Sequence, residues 1–305
     1  MAVRIVFFGT HDFAAGILQG LLESPDFIVK LVITQPDKPF GREQKITLPP
    51  VKLLAKKNNL KIVQPSTLNN FELPNEFDLG IVAQYGLLIP ANILNVPKFG
   101  VLNVHPSLLP KYRGASPIQS AILNGEKETG VSIMKLDTGM DTGPVLARQK
   151  IALGSDETYP DLSKKLKLAA IPLLLDAAKR YTQGEIWPVN QNNDMAVYCR
   201  ELKREDGKID WEESAKKIYN KWRAYQPWPG IFSEMKIKNK QIRLKFDKIK
   251  IGMKAPVDSN PGEIIKINKK EIGIVAGDKQ LILVGEIQPE GKKNMTAKNF
   301  INGYL

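Results

Sequence analysis

The densest group of residues able to do chemistry is Asn103-Val-His105-Pro-Ser-Leu-Leu-Pro110-Lys-Tyr-Arg-Gly-Ala-Ser116-Pro117. Asn103 and His105 stand two apart at the end of an apolar run that reads as a strand. The two-residue repeat of a strand points both side chains to one side of the sheet. An amide and an imidazole aimed the same way can donate to one reacting carbonyl oxygen as negative charge builds on it. The same histidine could instead be structural, held by one satisfied hydrogen bond. Pro106 and Pro110 stiffen the loop that follows, and Ser116-Pro117 reads as the N-cap and first residue of a helix.

A second group, Asp137-Thr-Gly-Met-Asp141-Thr-Gly-Pro144, lies between two strand-like runs. Its glycines allow backbone to approach a ligand closely. A carboxylate there could accept a hydrogen bond from His105 and stabilise an imidazolium. Asp-Thr-Gly is also ordinary turn chemistry, so either group alone says little. The first strand ends Gly9-Thr10-His11-Asp12, which has only the first glycine of a dinucleotide fingerprint and weakens an oxidoreductase reading. His11 reads as a turn or cap residue. The segment 35–50 is long for a connection between strand and helix and carries Arg42, Glu43 and Lys45, which suits either a nucleic-acid contact or a solvated loop.

These groups need elements to position them. VRIVFFG (3–9), IVKLVIT (28–34), LGIVA (79–83) and GVLNV (100–104) are apolar, β-branched runs that alternate with helical patterns, the longest over 158–181. That alternation predicts βαβ units and a mostly parallel, Rossmann-like sheet, with ligands outside the carboxyl ends of its strands. The polar stretch 189–207 reads as a linker, and 211–225 has helical spacing. Beyond Ile231 the texture changes to short strand-like runs, which predict a small OB-like β-barrel closed by a helix near Thr296–Asn302.

In 305 residues, 43% hydrophobic and 25% charged, there is room for a sizeable core, and no apolar run approaches the roughly 18 residues that span a membrane. One cysteine, Cys199, excludes an internal disulfide and fits a reducing cytoplasm; with two histidines it argues against a Cys/His zinc site. The net charge is +12, and residues 206–305 hold 20 Lys and Arg against 12 Asp and Glu, or +8 of it. Such an excess points to an anionic partner, with nucleic acid first, although a lysine-rich proteome gives the same count.

Taken together, Asn103-Val-His105-Pro-Ser-Leu-Leu-Pro110 and Asp137-Thr-Gly-Met-Asp141-Thr-Gly-Pro144, in this order and spacing, resemble the 10-formyltetrahydrofolate-dependent formyltransferases. GTHDFA, QPDKPFGR and the barrel-like tail are similar to the branch that acts on initiator methionyl-tRNA. The resemblance runs from the first strand to the last helix. It implies direct attack of the α-amine on the formyl carbon of 10-formyltetrahydrofolate, through a tetrahedral intermediate and without a metal. It implies Asn103, His105 and Asp141 as the catalytic set and Ser107, Leu108, Leu109 and Pro110 at the folate. Arg42 falls on the family's tRNA-contacting arginine. The implied domains are a folate-binding catalytic domain (1–188), the linker (189–207) and a basic tRNA-binding domain (208–305), in a cytoplasmic, bacterial-type monomer. His11 stands where the family more often has Pro, and Glu43-Gln44-Lys45 where it is more basic.

Two other functions fit part of the same residues. A formyltransferase for a small amine, such as an amino-sugar nucleotide or glycinamide ribonucleotide, would need neither the basic tail nor the 35–50 loop. A non-catalytic RNA-binding protein would leave the two polar groups unexplained.

Overall fold

A computed structural model of the chain describes residues 2–40 and 45–305. Its backbone divides into two compact units, one of residues 1–117, 128–152 and 162–199 and the other of 118–127, 153–161 and 200–305.

The first unit is built on a seven-stranded sheet, in the order Val145–Ala152, Glu128–Lys135, Val101–His105, Leu79–Ala83, Val3–Gly9, Phe27–Ile33, Ile62–Val63. The five strands from Val101–His105 to Ile62–Val63 are parallel, and Glu128–Lys135 runs antiparallel to both of its neighbours, Val101–His105 and Val145–Ala152. Parallel strands are covered on both faces, so they read as continuous apolar runs without alternation. Ile5, Val6, Phe7 and Phe8 of the central strand are all fully buried. Each such side chain contributes roughly 1.5–3 kcal/mol by leaving water.

Helix Asp12–Glu23 turns Phe13, Ala14, Ile17, Leu18 and Leu21 to the core, and helix Tyr159–Thr182 buries Leu162, Leu166, Ala170, Leu174 and Ala177 at helical spacing. His11 occupies the N-cap of the first helix without a side-chain cap bond. From Val3–Gly9 the chain winds to one side of the sheet and then crosses to the other, which leaves a switch point beside Leu79–Ala83. There Thr10 Oγ1 and Gln35 Nε2 both donate to the Tyr85 carbonyl, at 2.9 and 2.7 Å, and tie together the loops after three strands. The arms of the 35–50 segment pair as a short antiparallel hairpin, Lys38–Phe40 with Lys45–Thr47. Arg42, Glu43 and Gln44 lie outside the described residues.

The second unit carries a curled antiparallel sheet, in the order Ile231–Ile237, Lys240–Lys254, Gln280–Pro289, Ile272–Val275, Ile264–Lys266, with Met295–Thr296 added to Gln280–Pro289. The long strand Lys240–Lys254 breaks register with Gln280–Pro289 at three places, and such irregularities bend a sheet toward a barrel. Along it and its neighbour, Lys236, Lys248 and Lys250 are exposed beside buried Met235, Ile237 and Ile249, as the strand period dictates, and Lys238 is exposed in the turn between the two strands. Helix Ala215–Ala224 begins later than its periodicity predicts, because Ser214 caps it by accepting from the Lys217 N–H. Trp211, left outside the helix, meets Phe246 edge-on and donates to Ser233 Oγ at 3.0 Å. Thr296 caps the final helix, Ala297–Tyr304.

Candidate active site

Asn103 and His105 lie at the carboxyl end of Val101–His105, beside the switch point. Asp141 comes from the loop between Glu128–Lys135 and Val145–Ala152, and the fold brings the three side chains together. Asn103 Nδ2 is 3.4 Å from Asp141 Oδ1, and His105 Nδ1 is 3.6 Å from Asp141 Oδ2. The imidazole is almost wholly buried, 4% exposed, and Asn103 and Asp141 are partly buried.

The tautomer of His105 follows from its other contact. Nε2 lies 2.9 Å from the Tyr112 carbonyl oxygen, which can only accept, so Nε2 carries a hydrogen. The nitrogen that can gain or lose a proton is therefore Nδ1, the one facing Asp141. The carboxylate has a fixed partner of its own, since the Gly114 backbone N–H donates to Asp141 Oδ2 at 2.8 Å. One short segment, Tyr112 to Gly114, thus holds the far side of the imidazole and the near side of the carboxylate.

The two aspartates of the Gly-rich loop divide the readings left open above. Asp137 Oδ1 accepts from the Gly139 N–H and the Thr142 hydroxyl, at 3.0 and 2.8 Å, and so closes its own turn. Asp141 instead reaches across 36 residues to His105, with its backbone in the left-handed region at φ 54°. The turn needs Gly143, where a Cβ would stand 1.9 Å from the Lys135 carbonyl oxygen.

The loop 106–110 is pinned from beneath. Ser132 Oγ donates to the Ser107 carbonyl at 2.7 Å and accepts from the Leu109 N–H at 3.1 Å; Arg148 Nε donates to the Leu109 carbonyl at 2.9 Å. Ser107 and Leu109 are themselves buried, the serine donating to the Lys111 carbonyl and the leucine packed on Met134 and Val145. Leu108 and Pro110 keep accessible surface. Leu88, in the segment after Leu79–Ala83, and Met140, the chain neighbour of Asp141, are exposed apolar side chains, at 81% and 66%. Tyr85 offers no acid or base here, because burial pushes its phenol up to about 12. Among the described residues no group of three or more His, Cys, Asp or Glu is placed to hold a metal ion, and no helix is long and apolar enough to cross a membrane.

Sequence reading missed Arg113, Gln191 and Asn193. Arg113 is buried, and its guanidinium donates to Gln191 Oε1, Asn193 Oδ1 and the Tyr198 hydroxyl. Residues 189–199, which read as part of a linker, are laid along the first unit: Val189 bridges Val145, and Tyr198–Cys199 pairs in parallel with Arg113–Gly114.

An α/β sheet with an amide, an imidazole and a carboxylate converging at its carboxyl edge is the architecture of a group-transfer enzyme. Residues 3–177 match the formyl transferase family, and residues 201–305 match the formyl transferase C-terminal domain. The chain is 43% identical to a methionyl-tRNA formyltransferase of Caldicellulosiruptor saccharolyticus over 98% of its own length and 96% of that protein's. It is 41% identical to one of Thermodesulfovibrio yellowstonii, over 99% and 96%. Among solved structures, a sugar 3N-formyltransferase, WlaRD, determined with dTDP and 5-N-formyl-THF, superposes with a TM-score of 0.67 at 20% identity, covering 96% of this chain and 100% of that one. HypX of Aquifex aeolicus in complex with tetrahydrofolic acid gives 0.66 at 17%, over 100% of this chain and 48% of that one; both are likenesses of fold. The protein belongs to the methionyl-tRNA formyltransferase family.

Proposed function

We propose that this protein transfers the formyl group of 10-formyltetrahydrofolate to the α-amino group of initiator methionyl-tRNA, with Asn103, His105 and Asp141 acting on the formyl carbonyl. The observation that carries the reading is the approach of the Asn103 amide and the His105 Nδ1 to one carboxylate, in a chain whose near full-length relatives are methionyl-tRNA formyltransferases. The site suits a folate: beside its three convergent polar groups stands the exposed apolar side chain of Met140, next in the chain to Asp141. Leu108 and Pro110 are the members of the folate loop with surface to offer, while Ser107 and Leu109 hold its shape.

The folate supplies a carbonyl carbon for the amine to attack. Attack builds negative charge on the formyl oxygen, and the donors that would meet it are the Asn103 Nδ2–H not shared with Asp141 and His105 Nδ1–H, because Nε2 is committed to Tyr112. Each such donor accounts for about 10²–10³ in rate. Asp141 balances the imidazolium. The proton shed by the amine must reach the departing nitrogen, and the carboxylate and Nδ1, 3.6 Å apart, are placed to carry it.

Arg42 and the lysine-bearing strands of the second unit serve the tRNA. The exposed Lys236, Lys238, Lys248 and Lys250 suit phosphates, whose contacts position an RNA without reading its bases. The deciding assay compares charged initiator tRNA, charged elongator tRNA and amino-sugar nucleotides as acceptors across a salt series. Fastest transfer to initiator tRNA, falling steeply as salt rises, is expected. A salt-insensitive preference for the amino sugar would overturn the assignment.

A further inference from the structure

The Asp141 loop is braced by a side chain 50 residues away. Gln191 Nε2 donates to the Asp141 carbonyl at 2.9 Å and to the Gly143 carbonyl at 2.7 Å. Its Oε1 accepts from Arg113 Nε at 3.1 Å and from Nη2 at 2.8 Å. This fixes the orientation of the amide. A guanidinium only donates and a carbonyl only accepts, so a flipped amide would set donors against donors and oxygen against oxygen. Arg113 is in turn held by Asn193 and Tyr198, and its flanking peptides touch the catalytic pair through the Tyr112 carbonyl and the Gly114 N–H.

Asp141 needs such a brace. Its φ of 54° lies in the left-handed region, which residues with a Cβ rarely adopt, so the loop would relax if nothing held the peptides on either side. Relaxation would swing the carboxylate away from His105 Nδ1, already 3.6 Å distant. We infer that Gln191 is a positioning residue for the Asp141 carboxylate, acting through the backbone carbonyls of Asp141 and Gly143. The inference rests on the reading of Asp141 as catalytic.

Gln191→Ala would also strip a buried arginine of a partner and could simply loosen the fold. The informative variant is Gln191→Glu, which keeps an acceptor for Arg113 but turns an oxygen toward two carbonyl oxygens. Expected are an unchanged melting temperature, unchanged KM for folate and for tRNA, and a kcat reduced about 10- to 100-fold, the scale of a misplaced catalytic group. In an Asp141→Asn background the same change should cost nothing further, because the carboxylate it positions is gone. Wild-type kcat in Gln191→Glu, or an equal loss in both backgrounds, would overturn the inference and leave Asp141 untouched. Near-normal turnover in Asp141→Asn alone would instead remove the catalytic reading, and this inference with it.

Discussion

The Gly114 backbone N–H meets Asp141 Oδ2 at 2.8 Å, joining the loop after the histidine strand to the Gly-rich loop 27 residues further on. Gly114 can do this only as glycine. Its φ is +115°, and a Cβ there would lie 2.1 Å from the Cys199 carbonyl oxygen, the strand with which it pairs. Gly114→Ala should therefore destabilise the protein by more than about 1 kcal/mol and withdraw a hydrogen bond from the carboxylate. Thermal melting and formyl-transfer rate should fall together; a variant with wild-type melting and rate would show that this contact is dispensable.

Ser132 tests the folate loop separately from the chemistry. Its hydroxyl satisfies the Ser107 carbonyl and the Leu109 N–H, both buried. Ser132→Ala leaves that N–H without its partner, at a cost of about 1–3 kcal/mol. If the loop shapes the folate site, KM for the folate rises in this variant more than kcat falls. An unchanged folate KM would separate the loop from folate binding.

Much of this arrangement is legible in the sequence. The strand period alone puts Asn103 and His105 on one side, and the apolar runs locate the carboxyl edge at which they emerge. Asp141 is visible as a carboxylate in a Gly-rich loop, although spacing does not separate it from Asp137; only the reach of each side chain does. What stays hidden acts through the backbone or across long separations. The Tyr112 carbonyl and the Gly114 N–H are groups that nearly every residue carries, so no residue type marks them. Gln191 and Asn193 sit in a polar, irregular stretch, and nothing local says that a buried arginine 78 residues earlier is waiting for them. The barrel-like tail is recognisable from alternation, but the register breaks that curl it depend on pairing between distant strands.

The sheet also carries a pH-sensitive tie. Arg4 meets Asp78 through its backbone N–H, Nε and Nη2, at 2.9, 3.0 and 2.9 Å, linking the first strand to the residue that opens Leu79–Ala83. Hydrogen bonds from Arg4 draw the Asp78 carboxyl down from 3.8 to about 2. A carboxyl whose folded value is depressed contributes stability above its unfolded value and loses it as pH falls through the folded one. Asp78→Asn should therefore melt below the wild type at neutral pH, with the difference narrowing as pH drops from about 4 toward 2. A gap that stays constant over that range would mean the pair is not the source.

The central claim is that the Asp141 carboxylate serves His105 during formyl transfer, and Asp141→Asn tests it most directly. Asparagine keeps an oxygen for the Gly114 N–H and nearly the same shape, but it neither balances an imidazolium nor takes a proton. Single-turnover formyl transfer should fall by at least about 10²-fold, while equilibrium titration finds the folate affinity unchanged. Turnover close to wild type in that variant would contradict the account.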